Sequence, residues 1–329
     1  MEQLIDSRLP VLYVPEAENT RIPDASGSFI EANTVEVGLR DIKDNHIIPV
    51  FVKDNEPLIS HAEFVDMTWE LVNNIYTGEQ ISMPGIRVSH PIKGRIPEAK
   101  DKPASQLMEW EKTLYYERMA FVIEVPSIRD MVDGNSLSLT IGGVKSYGQD
   151  NLYSRGTSDQ HFKVFIGFKN KVCTNLCIWT DGYMGDLKVR NHGQLKAAIR
   201  TLIEGYDQNY HLHGLRKLTE HGLTETQFAQ VIGRSRMYPY LPSSMKAEVP
   251  PMLFGDQQLG AVVKDYYKDQ SFCRDTQGNI NLWKLYNLFT GVNKSSYIDS
   301  FLDRNVSAFQ LVEQIRYGLE KRSSCWYLG

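Results

Sequence analysis

Apolar and polar residues alternate along the middle of the chain, then give way to a helical period. Met119, Phe121, Ile123 and Val125 alternate with their neighbours, as do Leu137, Leu139 and Ile141, and then Phe162, Val164, Ile166 and Phe168. A period of two puts each set on one face of a β-strand. The pattern predicts an antiparallel meander, with the surest strands over 135–190. Lys169-Asn170 is read as a tight connection into "KVCTNLCIW". Asp181-Gly182 opens the next turn, and "DLKVR" is the returning strand. Upstream, Val35, Val37 and Leu39 alternate and predict a strand over 34–39. "HIIPVFV" (46–52) reads as a buried strand that Pro49 pushes towards an edge.

Helical signals flank this region. Ser60 and Glu63 have capping-box spacing; Phe64, Met67, Leu71 and Ile75 then repeat at helical intervals, and Gly78 is a stop. Residues 84–105 hold four prolines and five Lys/Arg and read as an extended loop, with 107–117 helical or transitional. After 192 the period lengthens. Leu195, Ala198, Ile199, Leu202 and Ile203 form one stripe, and Thr224/Gln227 and Ser307/Gln310 have capping-box spacing before two of the four later helices. The expected fold class is α+β: an antiparallel sheet, a meander centred on 119–190, with helices segregated mainly to the C-terminal third. The chain divides into an N-terminal region over 1–85 with strands and one capped helix, a β region over 86–192 and a helical region over 193–329, the three packing as parts of one continuous domain.

Composition narrows the class. Of 329 residues, 42% are apolar and 23% charged, enough for a sizeable core. No run of about 18 apolar residues predicts a membrane span, and the first residues do not read as a signal peptide. Four cysteines in so long a chain are no disulfide framework, which fits a cytoplasmic setting. Charge is uneven: residues 1–85 carry 5 basic and 15 acidic side chains, a net −10, leaving 31 and 25, a net +6, for 86–329. An acidic front on a mildly basic body admits an anionic partner for the body.

Candidate chemistry is sparse. Cys173 and Cys177 are four apart, but structural zinc sites pair such a motif with a second, and Cys273 and Cys325 stand alone. His211, His213 and His221 have no metal-ligand spacing and read as surface or capping histidines. No nucleophile elbow, phosphate loop or dinucleotide fingerprint is present. No catalytic residue, metal ligand or cofactor is therefore assigned. Basic residues are more suggestive. Lys93, Arg95, Lys100 and Lys102 lie among prolines beside His90, and Lys188, Arg190 and His192 alternate along the expected returning strand. Tyr147, Tyr153, Trp179 and Tyr183 lie near them in sequence. Cations that neutralise phosphate beside rings that stack bases suit single-stranded nucleic acid. Lys93, Arg95, Lys188, Arg190, His192 and Tyr183 are the candidate contacts. Cys173, Asn175 and Cys177 share a face of the expected strand and are assigned to hairpin structure.

"SHPIKGRIPEAKDKPASQLMEWEKTLYYERMAFVIEVPSI" resembles the signature block of an uncharacterised family from anaerobic gut bacteria. Cys173, Asn175, Arg190 and His192 also resemble a pattern of the phage/plasmid-like proteins, Cys-x-Asn followed by a basic strand ending in Arg-x-His. Trp283, Asn287 and Thr290 are similar to that group's Trp-x-x-x-Asn-x-x-Thr helix. The chain departs from the pattern at Asn191-His192, where the group has Arg-His-Thr. The resemblance implies a mobile-element setting and no defined activity.

Three functional expectations follow. The first is an accessory protein that binds single-stranded DNA or RNA. The second is a protein-interaction or host-defence-interference factor without catalysis, its partner encoded by the host or the element. The third is a cysteine- or metal-dependent enzyme with Cys173, His192 and Asp181 in one pocket. No membrane partner is expected, and self-association is left open.

Overall fold

A computed structural model describes residues 28–46, 58–99, 101–153 and 159–329. The N-terminal elements are β1 (Val35–Val37), α1 (Leu39–Asn45) and α2 (His61–Ile75). The sheet region holds β2 (Gly85–Val88), β3 (Pro91–Arg95), β4 (Lys112–Tyr116), β5 (Arg118–Val132), β6 (Asn135–Ser146), α3 (Tyr147–Tyr153), β7 (Gln160–Asn170), β8 (Leu176–Cys177) and β9 (Tyr183–Val189). Then follow α4 (His192–Gly205), α5 (Gln208–Lys217), β10 (Gly222–Leu223), α6 (Glu225–Met237), α7 (Ser243–Lys246), α8 (Asp256–Lys268), β11 (Ile280–Asn281), α9 (Leu282–Val292) and α10 (Ile298–Lys321). The class is α+β, as the alternating and helical patterns predict.

Among the described residues the main sheet runs β1-β2-β5-β6-β7, and β7 also pairs with β8 at one end and β9 at the other. All these pairings are antiparallel. The β5–β6 hairpin closes through Asp133-Gly134, both at positive φ (49° and 74°), the two-residue turn whose twist matches that of the strands. The alternating apolar residues of β5, β6 and β7 point to one face, where α2, α4 and α5 cover them. The opposite face presents Ala120, Val122, Val144 and Phe165, which meet Ile298, Phe301, Leu302 and Val306 of α10. The centre of the sheet is buried on both sides.

Phe64 sets how closely α2 approaches. Its ring meets Phe121 and Phe162 edge-on, at centroid distances of 5.0 and 4.9 Å. It lies directly over Gly143 of β6, where a Cβ would fall 2.6 Å from its ring and 2.7 Å from the Lys163 carbonyl. The Ser60–Glu63 capping box forms as expected, and so does that of Thr224 and Gln227.

Several expectations change. Residues 84–105 are no continuous loop: β2 joins the sheet, and β3 pairs with β4 in a separate two-stranded ribbon. The prolines fit because Pro91 opens a strand of that ribbon and Pro97 follows it. Residues 107–117 are a 3₁₀ turn leading into β4. Ser307 is no cap. It lies inside α10, where its hydroxyl donates to the Pro251 carbonyl. His211 is fully buried, not a surface residue, because Asp207 starts α5 and puts it on the inner face. Residues 47–52 of the expected early strand lie outside the described residues, as does Lys100.

The Gly143 contact yields a test. Gly143→Ala should lower stability by about 1–3 kcal/mol, the usual cost of overpacking, read as an earlier urea midpoint. An unchanged midpoint would show that α2 does not rest on this contact.

Candidate functional site

The registers place one set of strand ends together. Arg118 of β5 pairs with Ser146 of β6, Gln160 of β7 pairs with Val189 of β9, and the Ser89 N–H donates to the Arg118 carbonyl just after β2. The N-terminus of α2 lies across this end. Ile59 N–H donates to Gln160 Oε1 at 2.8 Å, and His61 N–H donates to the Tyr147 hydroxyl at 3.0 Å. His61 Nε2 lies 2.8 Å from the Tyr116 carbonyl. A carbonyl only accepts, so Nε2 carries the hydrogen and Nδ1 is a bare acceptor without a partner.

A pocket of about 350 Å³ opens here between α1, α2 and β4. Tyr115, Tyr116, Tyr147, His46 and His61 supply five rings, with Lys43, Ser60 and Glu63 among the polar side chains. His61 stacks on Tyr147 (4.2 Å, 28°), and His46 packs on Tyr116 (4.0 Å). Behind the rings Lys145 is wholly buried. Its ammonium lies 3.0 Å from Asp150 and 4.0 Å from the centre of Phe162. Burial lowers its pKa, which the Asp150 carboxylate partly offsets.

The sequence candidates distribute around this end. Lys93 is exposed on β3, one residue beyond Ile92, the partner of Tyr115. Arg95 donates to the Ala99 and Lys102 carbonyls and so holds the ribbon's own loop. Lys188 lies 2.9 Å from Asp186, and Arg190 Nε donates to Asp159 at 2.7 Å. β9 ends at Val189, so His192 is not on the strand; Asn191 caps α4 and His192 is its first residue, 3.3 Å from Glu63 on the pocket rim. Tyr183 is not brought into this group. It lies partway along β7 opposite Phe165, half-buried, and its hydroxyl donates to Asp303 of α10.

Cys173, Asn175 and Cys177 lie at the far end of β7. Residues 171–175 form a turn and not a strand, because Thr174 takes a left-handed conformation (φ 57°). Both Cys173 and Asn175 reach Asn287 of α9. Asn175 Nδ2 donates to the Asn287 carbonyl at 3.0 Å, and Cys173 Sγ lies 3.7 Å from Asn287 Oδ1. Asn170 Nδ2 donates to the same Oδ1 at 3.2 Å. Thr290 donates to the Tyr286 and Asn287 carbonyls. The Cys-x-Asn and Trp-x-x-x-Asn-x-x-Thr blocks therefore meet, whereas Arg190 and His192 lie at the other end. Eleven residues of β7 at about 3.3 Å each put Cys173 and His192 roughly 30 Å apart. Burial pushes the Cys173 thiol up to about 11, which disfavours the thiolate.

Of the pocket residues, Tyr147 alone was legible as a ring near the basic groups. His61 was hidden as the residue after a cap, and Tyr115 and Tyr116 lay in a segment read as helical or transitional. Among the described residues, no three acidic, His or Cys side chains are grouped to hold a metal ion, and no helix is long and apolar enough to cross a membrane.

His61 and His211 give the fold a pH dependence. Burial pushes both pKa values down to about 3, from an ordinary 6.5. Above 6.5 neither folded nor unfolded chain protonates them. Between 6.5 and 3 the unfolded chain binds protons that the folded chain refuses, so stability falls with pH. The expected loss is about 2 kcal/mol per histidine between about pH 7 and pH 5, measurable by urea unfolding at each pH. His211→Phe should halve the slope; a flat wild-type profile would refute the assignment.

Comparison with known proteins adds one match. No curated protein and no solved structure matches the chain. The family model described as "Domain of unknown function, B. Theta Gene description (DUF3871)" matches residues 16–328. With the match spanning the sheet, the ring-lined pocket and the Asn287 junction alike, the chain belongs to that family.

Proposed function

We propose that this protein binds single-stranded nucleic acid across the pocket end of its sheet. One observation carries the reading: the β3–β4 ribbon with Lys93 and the turn with Arg190 and His192 flank the same ring-lined pocket. The rim is not uniformly basic, since Asp186 and Asp159 sit beside Lys188 and Arg190, and Glu63 lies beside His192. Lys188 and Asp186 are both solvent-exposed, at 50% and 71%, whereas Arg190 pairs with a partly buried Asp159. An exposed pair such as Lys188–Asp186 contributes only about 0–1 kcal/mol, so exchange of its carboxylate for a phosphate costs little. Tyr115, half-exposed at the ribbon base, takes the stacking role that the sequence suggested for Tyr183. A mobile-element setting goes with this reading on residue likeness alone.

A protein partner is the second reading, favoured by Met237, Tyr240 and Met245, which are 58%, 88% and 42% exposed within nine residues.

Fluorescence anisotropy with labelled single-stranded DNA and RNA tests the first reading. Affinity should fall steeply between about 50 and 200 mM salt. Arg190→Ala and Lys93→Ala should each weaken binding several-fold and reduce the salt slope by about one. A flat trace at low salt for the full chain rejects nucleic acid and leaves the protein partner.

A further inference from the structure

The pocket has more order than a phosphate-binding rim requires. Its floor is made of buried rings: Tyr116, Tyr147 and His61 are 9%, 5% and 3% exposed. Tyr115 stands over them as an accessible wall, edge-on to Tyr147 at 6.2 Å. The two histidines lining the pocket each keep Nδ1 without a hydrogen-bond partner. For His61 the bond to the Tyr116 carbonyl fixes the free nitrogen as an acceptor. Both nitrogens are shut off from solvent, so the accessible ring of Tyr115, and not a free acceptor, is what the pocket offers an incoming group. The volume of about 350 Å³ is near the lower bound for small-molecule sites, roughly 300–1,000 Å³, and so suits one ring system better than an extended cofactor.

We infer that the pocket receives a planar heterocycle, either the unstacked base of a strand or a free nucleoside. The ring lies against Tyr115, above the floor of Tyr116, Tyr147 and His61. The inference rests on the nucleic-acid reading for the strand as source of the ring, and on the pocket alone for the ring itself.

The test compares an oligonucleotide with an abasic strand of equal length, and adds the free nucleosides of adenine, guanine, cytosine and uracil by calorimetry. The base-bearing strand should bind at least tenfold more tightly than the abasic one, in line with the usual contribution of stacking to single-strand binding. Tyr115→Ala should remove that difference and Tyr115→Phe preserve it. Ala62→Phe, which fills the rim from the first turn of α2, should also remove it, and melting temperatures check that each variant is folded. Equal binding of both strands with no nucleoside binding overturns the pocket inference and leaves the phosphate reading standing. Nucleoside binding that Tyr115→Ala abolishes, without strand binding, supports the pocket and overturns the strand. No binding of any probe overturns both.

Discussion

The contact of Phe64 with the backbone at Gly143 is the constraint on which the rest of the site depends. A side chain at 143 would lift α2 off the sheet, because its Cβ would overlap the Phe64 ring. With the helix seated, one turn back along α2 brings Ser60 and His61 to the strand ends. There His61 bonds the Tyr116 carbonyl and Ile59 bonds Gln160. These two hydrogen bonds tie α2 to β4 and to β7, which belong to separate sheets. The pocket is the space left between elements joined in this way, so its shape follows from how deep one phenylalanine sits.

The opposite end of β7 is closed by a different device. Asn287 accepts from Asn170 and Cys173 through Oδ1, donates to the Trp283 carbonyl through Nδ2, and accepts from Asn175 through its own carbonyl. Such a junction is strong only when nearly complete, since a buried polar group without a partner costs about as much as several made bonds contribute. Thr174 shows what the junction requires. A β-branched residue resists positive φ, yet its hydroxyl is fixed between the Ser28 carbonyl and the Lys294 ammonium. The strain is held where the surroundings over-determine the backbone. On the second face, Asp299 and Asp303 of α10 engage Arg118, Lys163 and Tyr183 and clasp the helix across three strands. One end of the sheet is thus locked by amides and one face by ions, whereas at the α2 end polar and aromatic groups line open space.

What the sequence disclosed follows the range of the forces involved. Alternation in β5, β6 and β7 was legible because both neighbours of each residue belong to the same strand. The caps at Ser60 and Thr224 were legible because a capping box is complete within four residues. Ser307 and Gln310 met the same spacing and failed, since α10 already runs through them from Ile298. The strand expected over Lys171–Trp179 is cut down to Leu176–Cys177 by Thr174, whose left-handed turn is held by residues over a hundred positions away. His211 has the same explanation: its burial among Trp179, Phe168 and Phe309 is set by three distant elements. The pocket joins α1, α2, α3 and β4, and no local pattern could show that His61 and Tyr116 meet.

Charge asymmetry, the broadest functional signal in the sequence, is partly consumed inside the molecule. Glu63 and Glu70 of the acidic front face His192 and Lys196 on α4 of the basic body. At these contacts acid and base that look separated along the chain are adjacent in space. Exposed pairs of this kind are screened within about 8–10 Å at ordinary salt. What the ion pairs leave unanswered at close range is the half-exposed ring of Tyr115 and the shape of the space beside it.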